Sequence, residues 1–391
     1  MDFLKRISDF LWNESFWLPM NVSWRDLTHT PERPYPSFHA LLYPIPLALF
    51  VYLVRLTVEK VIYEPIGRSL RIPCRKAHNV SPNPILEASY KWSRRLTHAD
   101  ILGLAKRCDM TERQVERWFR HRNAIRRGLT SQLDKFKETG WRFTFYLGIF
   151  LYGVWVLSDK PWFQDSSYVW TEYPFQIVTS DVWWYYMIEL SFYWSLLFTQ
   201  FFDVKRKDFW EMFFHHIITI TLMCFSWIDN TVRIGTLVLV LHDVSDFWLE
   251  GAKLARYAKM SRLSSMFFAI FAAVWIVTRL GVYPYRILSY TFPCPLGEKC
   301  FPAFHLYNTL LGSLQILHIF WTFTILRVIY RALNTGETED VRSDTDESEN
   351  EASDDYTSPS KSEIGTGDGV VRENGNGCLL SGQANGDLLA K

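Results

Sequence analysis

An all-α polytopic membrane fold, of about seven transmembrane helices plus a small cytosolic helical module, follows from three observations on this 391-residue chain. Long apolar stretches recur along it, aromatic residues make up 17% of it, and Lys and Arg gather in a few clusters between those stretches. A helix needs about 20 apolar residues to cross the hydrocarbon core. Stretches at 41–62, 141–158, 181–202, 209–227, 233–252, 263–284 and 303–327 approach that length. If the seven alternate in direction, the basic clusters at 91–127, 205–207, 253–262 and 327–331 all fall on one side. An excess of Lys and Arg marks the cytosolic side, which puts the N-terminus in the lumen and the C-terminus in the cytosol.

Taken in order, residues 1–40 form a luminal segment without a signal-peptide core. The apolar clusters Phe10-Leu11-Trp12 and Phe16-Trp17-Leu18 are short, separated by polar groups and followed by Pro19, which suits an interfacial anchor. Asn13-Glu14-Ser15 and Asn21-Val22-Ser23 fit the N-x-S/T glycosylation pattern, in agreement with a luminal Asn13 and Asn21. The first span, 41–62, ends in Arg55 and Glu59, long side chains able to snorkel to the interface.

Residues 65–130 read as a soluble helical module. Pro73, Pro82 and Pro84 break its entry; a helix follows from Thr97 to Cys108; Asp109-Met110 turns the chain. Thr111 is placed to cap a last helix over 112–127, where Val115, Trp118 and Phe119 make an apolar stripe. The string from Gln114 to Asn123, centred on Trp118-Phe119, resembles the third helix of a homeodomain. His121 stands where homeodomains carry the asparagine that pairs with adenine, and the basic arm at Arg71, Arg75 and Lys76 is broken, which argues against DNA as a partner. A basic docking surface, facing membrane or a protein partner, and a plain spacer remain open.

A membrane domain is expected over 131–333, and 334–391 reads as a disordered acidic cytosolic tail, poor in the apolar residues a core requires. Ser343 and Ser348 each precede an acidic residue by three positions, the pattern of an acidophilic kinase; an unmodified, solvated tail stays an alternative. Of six cysteines, Cys294 and Cys300 fall in the expected luminal loop at 285–303, where oxidation permits a disulfide. No CxxC pair suggests zinc.

Two apolar runs carry groups that hydrocarbon penalises: His215-His216 in one, His242, Asp243 and Asp246 in the other. A carboxylate at a helix centre costs roughly 2.5–3.5 kcal/mol on insertion scales, so such groups mark a function. From the basic cluster at Lys205-Arg206-Lys207, His215 lies about 12 Å deep at 1.5 Å per residue. Asp246 and Asp243, counted from Lys253, lie about 10 and 15 Å deep by the same rise. The two clusters meet at one level. Asp243 and Asp246 share a helix face with Glu250, while His215 and His216 diverge by about 100° and must flank a wall to serve one cavity. Three readings fit: a polar network that cements the bundle, a metal site, or metal-free acyl or proton transfer by imidazole and carboxylate. The third accounts for most of the pattern. Glu189 and Arg279, also intramembrane, are expected to pair with each other.

The segments Asp203 to Phe209, Met212 to His216, Arg233 to Leu239, Leu241-His242-Asp243 with Asp246, and Leu249 to Tyr257 together resemble the longevity-assurance motif of ceramide synthases, and the likeness spans the whole TLC-type membrane domain. Gly251, Val244 and Trp248 depart from the usual residues. The resemblance implies N-acylation of a sphingoid base by a fatty acyl-CoA at the endoplasmic reticulum membrane, with acyl-CoA as substrate and no cofactor or metal. It implies catalytic roles for His215, His216, Asp243 and Asp246 and support from His242 and Glu250; Lys205, Arg206 and Lys207, at the expected cytosolic mouth, are candidates for the CoA phosphates, with a topogenic positive-inside role alone as the alternative. Membrane lipid and homo- or hetero-oligomers with other ceramide synthases are the remaining partners it implies. A non-enzymatic lipid sensor acting on transcription through the homeodomain-like module is the alternative from another class.

Overall fold

The computed structural model describes residues 12–73, 82–92, 96–127, 132–203, 209–294 and 300–335. Their regular structure is all helical, with no strand among the described residues. The principal helices are α1 (Pro44–Val58), α2 (Pro84–Trp92), α3 (His98–Cys108), α4 (Glu112–Arg127), α5 (Gln132–Leu157), α6 (Ser180–Thr199), α7 (Phe209–Ile228), α8 (Val232–Tyr257), α9 (Ser261–Trp275) and α10 (Pro302–Thr335).

Helices α2 to α4 form a small unit with its own core of Leu86, Tyr90, Ile101, Leu104, Val115, Trp118 and Phe119. Local sequence sets its helix starts. Thr97 accepts from the Asp100 backbone while the Asp100 carboxylate accepts from Thr97, a reciprocal cap. Thr111 and Gln114 repeat the device at the entrance to α4, and Asp109 reverses the chain in the left-handed conformation, φ 51°. Arg122 pairs with Glu87 at 2.9 Å and lies over the Tyr90 ring. The side chain of His121 lies outside the described residues.

The larger unit holds α1 and most of α5 to α10. Among the described residues, five helical stretches are long and apolar enough to cross a membrane: Phe38–Ser69, Gln132–Leu157, Phe209–Ile228, Ser261–Thr291 and Pro302–Asn334. The expected spans at 181–202 and 233–252 exist as α6 and α8, but neither is among those five. Their position supplies the reason. Twelve of the twenty residues of α6 and fourteen of the twenty-six of α8 are buried, so these helices face protein on most sides and can carry tyrosines, histidines and carboxylates.

Close packing, not water exclusion, holds helices together in lipid. Gly153 admits the Tyr185 ring, and Gly251 admits Phe143 and Phe267. Gly235 faces the Tyr186 hydroxyl so closely that a β-carbon would stand 2.5 Å from it. Phe145 of α5 stacks on Phe192 of α6 at 3.6 Å between centroids.

Four expectations need correction. Arg55 does not snorkel: it is 7% exposed, gives both terminal nitrogens to Asp203 and its Nε to Glu59, because a fork of donors finds carboxylates within the protein before it reaches the interface. Of the two N-terminal aromatic clusters the second is not an interfacial anchor, since Trp17 and Leu18 are buried against Phe301 and Phe304, and Phe10 and Leu11 of the first lie outside the described residues. Third, α9 does not stop at 284. It continues through two π-helical turns, Ile276–Val282 and Pro284–Leu288, to Thr291, and the wider turn accommodates a proline without its N–H. The connection after it is accordingly shorter than 285–303, and Cys294 and Cys300 within it are joined by a disulfide. Fourth, Glu189 and Arg279 do not pair, as the site geometry shows.

Candidate active site

Helices α5 to α10 all contribute to one cavity of about 180 Å³. Glu138, Arg142 and Tyr146 come from α5, Gln200 from the end of α6, His215 and His216 from α7, His242, Asp246 and Glu250 from α8, Trp275 and Arg279 from α9 and its continuation, and His318 and Trp321 from α10. The matched depths estimated from the sequence thus correspond to one chamber. His215 and His242 also border a second, smaller and mostly apolar pocket of about 30 Å³, closed by residues such as Tyr186, Leu239, Tyr307 and Leu311.

The histidine doublet flanks the cavity wall. His216 is 6% exposed, and its Nδ1 lies 3.0 Å from Gln200 Oε1. Gln200 Nε2 donates to the Phe209 carbonyl at 2.7 Å, which turns the amide oxygen toward the ring. An amide oxygen only accepts, so Nδ1 carries the proton and a neutral His216 keeps its lone pair on Nε2. His215 packs edge-on against Trp321 at 5.1 Å, and its Nδ1 is buried with no hydrogen-bond partner among the described residues.

On α8 the helical period sorts the acidic residues. His242, Asp246 and Glu250 are four apart and line the cavity. Asp243, three before Asp246, is displaced by about 60° around the helix, since 3.6 residues make a turn. That turn suffices to send it elsewhere: Asp243 does not line the cavity but takes a 3.4 Å hydrogen bond from Tyr185 of α6 and lies beside Glu189.

Arg279 therefore meets Asp246, at 3.6 Å, and not Glu189. Its terminal nitrogens donate to the carbonyls of Leu241 and His242 and to Ser245 Oγ, while the guanidinium lies over Trp275. It is 1% exposed, and its position inside a π-helical turn carries it to the level of the cavity. Two charged pairs also line the cavity, Glu138 with Arg142 and Glu250 with Lys253. Among the described residues no three His, Cys, Asp or Glu side chains converge as metal ligands would. Lys205, Arg206, Lys207, Ser343 and Ser348 lie outside the described residues. Asn13 and Asn21 are both exposed; Asn13 caps the short helix Glu14–Trp17, and Asn21 adopts φ 67°.

Gln200, Tyr185, His318 and Trp321 went unnoticed in the sequence. His318 obeys the same rule that singled out the doublet, an ionisable group inside an apolar run, and reading the last span by that rule finds it. The aromatic and amide partners carry no such signal.

Comparison with known proteins places this geometry. The family model described as TLC domain matches residues 135–327, and the homeodomain model matches 75–127. The chain is 44% identical to human ceramide synthase 5 over 381 residues, covering 94% of each protein. It is 42% identical to human ceramide synthase 3, over 87% of this chain and 88% of that one. With ceramide synthase hyl-1 of Caenorhabditis elegans the identity is 35%, over 86% and 84%. A six-helix chamber ringed by histidines, inside a chain so similar along nearly its whole length, leaves one assignment: the chain belongs to the ceramide synthase family of TLC-domain proteins.

Proposed function

We infer that this protein transfers a fatty acyl group from acyl-CoA to the amine of a sphingoid base, giving a ceramide and free CoA. The observation that carries this reading is the convergence of His215, His216, His242 and Asp246 on one chamber in a ceramide synthase relative. A thioester reacts with an amine without redox chemistry, but the amine must lose a proton and the developing oxyanion needs donors in a water-poor site.

In this reading His215 acts as base, or as nucleophile through an acyl-imidazole, with His216 orienting the thioester beside it. The Nε2 lone pair of His216, fixed through Gln200, suits either proton or acyl chemistry as well. Asp246 balances the Arg279 charge at the cavity wall, and Asp243 braces α6 against α8 through Tyr185. Glu250 and Lys253 follow Asp246 by about one and two turns of α8, toward its expected cytosolic end. Lys205, Arg206 and Lys207 would meet the CoA phosphates there.

The topology belongs to the same proposal. Seven crossings, with α6 and α8 as the two polar ones, put the N-terminus and its sequons in the lumen of the endoplasmic reticulum, and the homeodomain-like unit and tail in the cytosol. Acyl and sphingoid tails then run along the bundle while CoA stays at the cytosolic mouth. Purified protein, sphinganine and acyl-CoAs of graded length, with products read by mass spectrometry, test the activity directly. N-acylated sphinganine is expected, and abolished in His215→Ala; acylation at the parental rate by that variant overturns the site assignment.

A further inference from the structure

His318 of α10 is 1% exposed and shares the cavity wall with His215, His242 and Asp246. Two contacts fix its tautomer. His242 Nδ1 lies 2.6 Å from the Val238 carbonyl oxygen, which can only accept, so Nδ1 holds the proton. Neutral His242 then has its lone pair on Nε2, and that atom lies 2.9 Å from His318 Nε2. His318 must therefore donate through Nε2–H, which leaves its lone pair on Nδ1. That nitrogen is buried and has no hydrogen-bond partner among the described residues.

The two rings are thus unequal. Both nitrogens of His242 are engaged, whereas His318 keeps a free basic nitrogen on a ring held edge-on by Tyr283 at 4.9 Å and by Trp275 at 6.1 Å. A buried acceptor left without a donor is costly, and here the missing donor would arrive with the substrate.

We propose that His318 Nδ1 accepts the proton of the attacking amine, with His242 as the residue that orients it. The inference rests on the acyl-transfer reading given above. The amine lone pair forms the C–N bond at the thioester carbonyl carbon, and the N–H proton passes to His318 Nδ1. The C–S bond breaks, sulfur leaves with its electron pair, and the His318 imidazolium returns the proton to that thiolate. While charged, His318 donates to His242 Nε2 in a charge-assisted hydrogen bond, as a triad imidazolium donates to its partner. The titratable and charged groups that face it are His242 and Asp246 from α8, His215 from α7, and Arg279 and Tyr283 from the α9 continuation. Arg279 opposes the imidazolium, and Asp246 at 3.6 Å from Arg279 offsets that opposition. His215 and His216 are then left to handle the acyl group.

The test uses the full-length protein with His318→Gln, whose amide N–H can still reach His242, beside His215→Ala. Both are assayed with a saturated acyl-CoA and two acceptors: sphinganine, and an analogue in which an aminooxy group replaces the amine. The aminooxy nitrogen gives up its proton more readily after attack and needs less help from a base. His318→Gln is expected to lower kcat for sphinganine by roughly 100-fold, the scale of general-base catalysis, with KM for acyl-CoA unchanged and the loss shrinking to under about 10-fold for the analogue. An unchanged kcat for sphinganine, an equal loss with both acceptors, or a variant that no longer folds by its thermal midpoint would each overturn the proposal. His215→Ala reports separately on the underlying reading: parental activity there sinks both, while a dead His215→Ala beside an active His318→Gln sinks this proposal alone.

Discussion

Asp203 takes both terminal nitrogens of Arg55, at 2.9 and 2.7 Å, across 148 residues of chain. Arg55 lies within the first candidate membrane helix, and Asp203 is among the residues that line the cavity, so this bidentate pair ties that helix to the site. Removing one partner of a buried ion pair leaves the other uncompensated. Arg55→Ala is expected to destabilise the protein by about 3–5 kcal/mol, and Arg55→Lys by less, because a point charge cannot reproduce the fork. Thermal unfolding of the detergent-solubilised variants measures both.

The two aspartates of α8 should separate by function. Asp246→Asn removes the charge that faces Arg279 at the cavity and is expected to cut acyl transfer by 10²-fold or more, about the scale of acid–base groups. Asp243→Asn keeps an acceptor for Tyr185 and should retain most activity. Equal losses in a steady-state assay would contradict the assignment of the two faces.

Gln200 gives a third expectation. Its amide oxygen holds the proton of His216 on Nδ1. Gln200→Ala frees the ring and its tautomer, and kcat should fall about 10-fold, at the lower end of the cost of losing a supporting partner. Gln200→Glu, which keeps an acceptor for His216 but loses the donor to the Phe209 carbonyl, should recover only part of it.

A pH effect is expected in the small helical unit. Hydrogen bonds from the Thr97 hydroxyl and backbone hold the Asp100 carboxyl below the usual aspartate range. A group depressed in the folded state stabilises above its unfolded pKa, and the contribution disappears as pH falls through the folded value. Protection of the first-turn amides of α3 relative to their intrinsic exchange rates should therefore fall below about pH 4, the ordinary aspartate range, and Asp100→Asn should flatten the profile.

Much of this was legible in the chain itself. The run Phe209 to Ile228 is apolar at a length that permits one helix, and the fixed rise of 1.5 Å per residue puts His215 at about the level of Asp246. Thr111 and Trp118 likewise announced a capped helix with a buried stripe. Partners were not legible. Arg279 and Glu189 match by charge and depth, yet Arg279, within a π-helical turn, meets Asp246. Arg55 looked like a snorkelling end residue because nothing local reveals that Asp203 lies within reach.

Sequence by itself determined the helices, their order and the level of the ionisable groups, since these depend on spacing along one chain and on the cost of charge in hydrocarbon. Tertiary structure decided which neighbour each group faces: Asp246 on the cavity and Asp243 on Tyr185, His318 on His242, Gln200 on His216. The period of a helix fixes the angle between two of its own side chains, but only packing against other helices fixes how that helix is turned.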